Sequence, residues 1–300
     1  MIRNKAGYLT VLCLFLVSAA YAETPGSLPL LKVAPDARSS ALGEAGAAGS
    51  KGAMAAFHNP ALLAFAEESQ AAFAYSDWLL DMTMQSGALL FSYGKYSVGL
   101  SFNAFTTPDI ERRVLPSDEP IETFSAHDVA AGLSFAYRLS GNLSLGLTAR
   151  FIQQQIYVEE ASGGSADIGA AYRLNAPEIT LAAAVRSLGA MNSLDEEESP
   201  LPGNAVIGVD GLILKRGDFS LRGLGDVQYF FDDDIRAHIG LEASWQDHFF
   251  LRAGYQTGSE LRSFSGGAGL AWNRYAFDYA YQPLAEDFEE AHRFAFSLNF

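Results

Sequence analysis

From Ser69 onward, hydrophobic residues fall on every second position. Phe73 and Tyr75 alternate with Ala72 and Ala74, and Gly87, Leu89, Phe91 and Tyr93 continue the pattern. Tyr96, Val98, Leu100 and Phe102 alternate with Ser97, Gly99, Ser101 and Asn103. Similar runs follow at 128–138, 143–151, 167–173, 179–186, 205–209, 219–228, 235–245, 249–256, 264–272, 275–282 and 290–300. A side-chain period of two belongs to strands, here with one apolar and one small or polar face. The runs number about fourteen, and an even number is what a single-chain bacterial outer-membrane barrel requires. The pattern predicts an all-β fold, a transmembrane antiparallel β-barrel over residues 69–300.

The connections alternate in length. Short ones fall at Gly94, Ser140-Gly141-Asn142, 174–177, 215–218, Gln246-Asp247 and Asn273-Arg274. Longer or more polar ones fall at 77–81, 106–126, 159–164, 188–202, 231–233, 257–262 and 283–289. Short turns on one rim and longer loops on the other are the barrel pattern. Tyr93, Tyr96, Tyr137, Tyr172, Trp245, Phe249, Trp272 and Tyr275 flank the short turns, as an interfacial girdle would. In the last run His292, Phe294, Phe296, Leu298 and Phe300 share a face, so the chain ends on an aromatic strand expected to pair with the first strand near residues 71–76. Phe296, Leu298 and Phe300 also resemble a C-terminal assembly signal for outer-membrane insertion machinery.

The first 68 residues do not alternate. In residues 1–22, Arg3 and Lys5 precede a short apolar stretch that ends in Ala20-Tyr21-Ala22, the form of a cleaved secretory signal peptide. Residues 23–68 are rich in small residues and read as an N-terminal hatch inside the barrel, in its periplasmic mouth. Two short helices joined at glycines are expected, and Asn59 before Pro60 reads as a cap followed by a first-turn proline. The single Cys, Cys13, lies in the leader, so disulfide or thiolate chemistry is not expected in the mature chain. The formal charge is −15, and removing the leader takes away two basic residues and leaves −17. So acidic a chain is no nucleic-acid binder.

No catalytic constellation, cofactor motif or metal-ligand spacing stands out, so no enzyme, cofactor or metal is expected. His238 and Glu242 share a strand face and could form a lumen pair. Charged residues do fall on the face opposite the apolar one: Asp128, Arg138, Arg150, Asp167, Arg173, Arg186, Arg222, Asp226, Arg236, Glu242, Arg252, Asp278 and Arg293. Facing lipid, an Arg would cost about 2–4 kcal/mol near the midplane, so these belong to the lumen. Two readings stay open: ion pairs that fill a plugged barrel, or a polar permeation path. The acidic stretches 195–198 and 232–234 are solvated loops or calcium-bridged surface contacts.

The stretch 35–64, with Ala37-Arg38, Ala41-Leu42-Gly43 and Asn59-Pro60-Ala61-Leu62, resembles the N-terminal region of the PorV/PorQ family of outer-membrane proteins. Phe124-x-x-x-Asp128, followed by Leu133-x-x-x-Tyr137 and Leu145, is similar to the same family. The resemblance implies a FadL-like barrel of fourteen strands with an N-terminal hatch, whose motif here is Arg38, Leu42, Gly43, Asn59, Pro60 and Ala61. It implies a non-enzymatic protein of the cell outer membrane, in contact with lipid, that binds secretion-system components or secreted cargo of a type IX-like system. The alternative is a FadL-like channel for hydrophobic small molecules, with an apolar pocket built from residues such as Leu79, Leu80, Phe105 and Ile110. A purely structural barrel is the third reading.

Overall fold

A computed structural model describes residues 28–113, 120–194, 200–232, 234–258, 262–284 and 290–300. Among the described residues fourteen strands form one closed antiparallel barrel. They are β1 (Gln70–Asp77), β2 (Thr83–Ser92), β3 (Tyr96–Arg112), β4 (Glu122–Arg138), β5 (Leu143–Ile156), β6 (Glu159–Asn175), β7 (Glu178–Met191), β8 (Asn204–Arg216), β9 (Phe219–Phe230), β10 (Ile235–Trp245), β11 (Phe249–Gln256), β12 (Phe264–Trp272), β13 (Tyr275–Gln282) and β14 (Ala291–Asn299). Each strand pairs with its sequence neighbours, and β1 closes the cylinder against β14 with Gln70 opposite Asn299 and Asp77 opposite His292. The Phe300 N–H donates to the Ser69 carbonyl at 2.9 Å, so pairing continues to the last residue. Closure leaves no edge strand, the condition for placing backbone in hydrocarbon.

The apolar set points outward. Leu133, Phe135, Leu145, Leu147, Ile239, Leu251, Phe277 and Phe294 are exposed on the outer wall. All eight girdle aromatics are exposed beside the short turns, and Tyr93 stacks on Tyr96 with ring centroids 5.1 Å apart. Phe296 lies against Tyr275 and Phe277 on neighbouring β13, and Phe300 meets Phe91 edge-on at 6.3 Å.

Three of the expected long loops are partly strand. β3 and β4 pair as far as Arg112 and Glu122. β5 and β6 pair to Ile156 and Glu159, across a turn at Tyr157 and Val158. β7 runs to Met191. Backbone pairing continues there although the apolar alternation stops, because a hairpin that has left the apolar layer no longer needs one face for lipid. Register also shifts between Thr107 and Ile110, between Ala166 and Ile168, and between Leu212 and Leu214.

The lumen is filled by the chain's own N-terminal segment. It forms α1 (Pro29–Lys32), α2 (Ala37–Ala41) and α3 (Ala55–His58), with 3-10 turns at Gly52–Met54 and Pro60–Phe65. Its helices are shorter and more numerous than the two expected, because glycines and tight wall contacts break them. Gly43 shows the constraint: its φ is +67°, and a Cβ there would sit 2.6 Å from the Tyr255 backbone nitrogen. At Gly146 the wall gives way in turn, since a Cβ would strike the Pro60–Ala61 backbone. The segment is not confined to one mouth. Leu28, Leu30 and Val33 pack with Met84, Phe105, Ala130, Ile152 and Leu201 toward the long-loop rim. Residues 53–65 pack with Ala74, Ala88, Leu90, Ala136, Ala171 and Ala182 toward the short-turn rim. The segment therefore crosses the lumen from end to end.

Candidate functional site: the hatch and its ionic anchors

The hatch is tied to the wall chiefly by side chains that the strand period turns inward. Asp36 caps α2, its carboxylate accepting from the Ser39 N–H at 2.9 Å and meeting His58 Nε2 at 3.0 Å. This links the beginning of the hatch to its α3 turn. Burial by itself would push the Asp36 carboxyl up, but the His58 hydrogen bond and charge, with the Ser39 N–H, hold it below the usual aspartate range. Two turns later Asn59 repeats the capping role. Its Oδ1 accepts from the Ala61 N–H at 3.0 Å, Pro60 takes the first helical position, and its amide donates to the Ala47 carbonyl at 3.1 Å.

Arg38 lies at the centre. Its Nε and Nη2 donate to the two Glu242 carboxylate oxygens at 2.9 and 3.1 Å, and its Nη1 donates to the Gly49 carbonyl at 2.7 Å. On the wall, Arg252 donates to Glu242 at 2.8 Å and to Asp278 at 2.6 Å. A planar guanidinium gripping both carboxylate oxygens fixes orientation as well as distance. Leu42 is fully buried, and Gly43 lies flat on β11. The Gly43 N–H donates to Ser265 Oγ at 3.1 Å, and its carbonyl meets His238 Nδ1 at 2.7 Å. The expected His238–Glu242 pair does not form. The two are four residues apart on β10, too far along an extended strand to touch, and each meets the hatch instead.

The other inward charges also have partners. Arg262 donates to Glu44 at 2.6 Å, and Arg293 to Ser40. Asp226 accepts from the Ala47 N–H at 2.8 Å. Arg138 donates to the Ala64 carbonyl, and Arg138 and Arg173 both lie over the Phe65 ring, at 5.5 and 4.2 Å. Away from the hatch, Arg150 pairs with Asp167 at 2.8 Å, and Asp167 also accepts from the Ser187 N–H at 2.7 Å. Arg186 donates to Asn204, Arg222 to Asp210, and Arg236 to Asp234. Asp128 is buried beside Gln154.

Glu44, Asp210 and Asn204 escaped the sequence reading. Asp210 extends the Val206-Gly208 face of β8 by one step, so a longer run would have included it. Asp36 carried a readable signal too, a capping residue directly before a helical stretch. Of the acidic stretches, 195–198 lies outside the described residues. In the other, Asp232 approaches Lys32 at 3.8 Å and Asp234 meets Arg236, so these two form ion pairs. No group of three or more potential metal ligands occurs among the described residues.

Among the described residues, three spaces adjoin the hatch. A polar cavity of about 50 Å³ lies beneath residues 30–35, lined by Asn103, Arg150, Arg186 and Gln228 among others. A second, of about 180 Å³, lies between Met54 and Phe250, with Arg38, Lys51 and Glu242 at its border. A hollow of about 450 Å³ lies between residues 48–51 and β6–β9 at the short-turn rim. Among the described residues, the apolar space expected under the loops is occupied. Phe105 is covered by the chain's own Leu28, Leu30 and Val33, with Trp78 against it. Leu80 is exposed and Ile110 half-buried, and the Leu79 side chain lies outside the described residues.

Comparison with known proteins matches residues 21–176 to the family described as Type IX secretion system protein PorV. A comparison with curated proteins gave no significant match. Among solved structures, the Ralstonia pickettii toluene transporter TbuX is similar over 88% of this chain and 98% of its own, at 13% identity and TM-score 0.64. The Pseudomonas putida toluene transporter TodX is similar over 87% and 97%, at 13% identity and TM-score 0.66. A Pseudomonas aeruginosa FadL homologue is similar over 88% and 98%, at 13% identity and TM-score 0.54. At such identities the likeness is one of fold.

Proposed function

Because the chain belongs to the PorV family, we propose that this outer-membrane barrel serves a type IX-like secretion system, binding system components or exported cargo and catalysing no reaction. The observation that carries the proposal is the extent of the family match, which takes in the whole hatch and β1–β6. The interior occupied by the hatch supports it. Arg38, Glu44 and Asp226 tie the hatch to the wall, and Leu28, Leu30 and Val33 occupy the apolar space under the loops. A barrel filled in this way offers its rims and outer wall for contact. Residues 1–22 act, in this reading, as a cleaved export signal, and Phe296, Leu298 and Phe300 are read by the insertion machinery.

Affinity capture of the intact barrel from native outer membranes tests the proposal. Secretion-system proteins or their cargo should co-purify. Their absence, in cells that possess such a system, would refute it.

The alternative is a channel for hydrophobic small molecules, as the printed names of TbuX and TodX describe for those proteins. The apolar cluster around Phe105 favours it, provided that residues 28–33 leave their place. Cross-linking that segment to β3 would then abolish uptake of such molecules, whereas it should leave partner capture unchanged under the first reading.

A further inference from the structure

We infer that the hollow at the periplasmic rim is a docking site for an acidic polypeptide segment, a role that stands independently of the secretion reading. Short turns mark this rim as periplasmic. The floor of the hollow is hatch, residues 48–51, and its wall is β6–β9, with Arg173, Asn175, Glu178, Thr180, Asp210 and Arg222. Its volume of about 450 Å³ is that of a ligand pocket.

The charges of the hollow are unevenly satisfied. Arg222 is bound by Asp210 at 3.0 Å and approached by Glu178 at 3.8 Å. Arg173 has no carboxylate partner among the described residues, and its guanidinium rests on Phe65 with its N–H edge free. Lys51 has a half-exposed side chain, and its partner Glu242, at 3.5 Å, is already gripped by Arg38 and Arg252. The Arg38 charge beside it holds the Lys51 amine below the ordinary lysine range, which marks local positive potential. In a chain of formal charge −15, Arg173 and Lys51 both line this concave space, with Lys51 at its border with the cavity of Glu242.

The position of the hollow selects the occupant. It lies at the short-turn rim, between the hatch and the ends of β6–β9, where a periplasmic chain can reach it. Thr180 and Asn175 beside the cations offer a peptide backbone hydrogen-bonding groups that a bare anion would leave unused. A carboxylate held by Arg173 and Lys51 would gain charge-assisted hydrogen bonds, which salt weakens.

The test uses the full-length barrel in nanodiscs and a fluorescent octapeptide rich in Asp and Glu, read by anisotropy. A twin peptide carrying Asn and Gln is the control, and inorganic phosphate is the competitor. The acidic peptide should bind, and the double variant Lys51→Gln/Arg173→Gln should lose about tenfold or more in affinity. Lys215→Gln/Arg216→Gln, on the same rim outside the hollow, should change nothing. Lys51→Glu alone, at an exposed side chain, guards against misfolding of the Arg173 variant and should also abolish binding. Equal binding of both peptides, or full affinity in Lys51→Glu, would overturn the inference. So would displacement of the peptide by millimolar phosphate at constant ionic strength, which would reveal a simple ion site.

Discussion

Asp36 joins two parts of the hatch, through Ser39 on one side and His58 on the other. Its folded value lies below the ordinary aspartate value of about 3.9. Such a carboxyl contributes its full stabilisation above the unfolded value and loses it as pH falls through the folded one. Protease resistance of residues 28–65 should therefore stay flat from neutral to mildly acidic pH and fall below about pH 4. Asp36→Asn should lower resistance at pH 7 and shrink that acid step, the remainder belonging to the Glu44 and Glu242 ties. An acid profile identical to the native one would show that Asp36 does not hold the hatch. Asn59 is fully buried and serves both as cap and as tie to Ala47. Asn59→Ala leaves buried backbone groups without partners, at about 1–3 kcal/mol each. Hydrogen exchange over 47–61 should accelerate, with the barrel amides unaffected.

At the scale of the strand, side-chain direction decides the outcome of substitution. Leu145 and Leu147 are exposed on the outer wall of β5, Leu145 level with the girdle residue Tyr137 and Leu147 one step deeper, opposite Phe135. Leu147→Arg should cost up to about 2–4 kcal/mol and reduce insertion, whereas Leu145→Arg, at the girdle, should cost only about 0–1 kcal/mol. Thr148 faces inward but is fully buried and hydrogen-bonded to Ser134 at 2.8 Å. The filled lumen gives an Arg no room there, so Thr148→Arg should insert and then displace the hatch, seen as new protease sites in residues 28–65. Removal of residues 294–300 takes most of β14 from both β1 and β13. The unpaired groups left in lipid cost several kcal/mol each, so no heat-modifiable membrane species should form. Phe300→Ala removes no strand and should only slow its appearance.

The strands themselves were legible because the apolar face must meet lipid, which writes a period of two into the sequence. The ends of β3–β7 were less legible, since above the apolar layer nothing enforces alternation. The ionic partners were illegible for a different reason. Arg38 meets Glu242, 204 residues away, through barrel closure and hatch placement. Period and local spacing carry no trace of either.

For the molecule as a whole, closure and filling belong together. A fourteen-strand cylinder with inward Arg, Asp and Glu side chains must neutralise them, and the hatch supplies Asp36, Arg38 and Glu44 to that network. Small residues over 41–56 let it pass close to the wall, as Gly43 does against β11. The result is a barrel whose free surfaces are its rims and its lipid-facing wall, which suits a protein that works by contact. The most direct test is the exported proteome of a strain lacking this chain, compared with the same strain carrying it again. The account predicts that cargo of the secretion system disappears from the cell surface and medium, accumulates in the periplasm, and returns on complementation. Unchanged export, with loss of uptake of a hydrophobic small molecule, would contradict it.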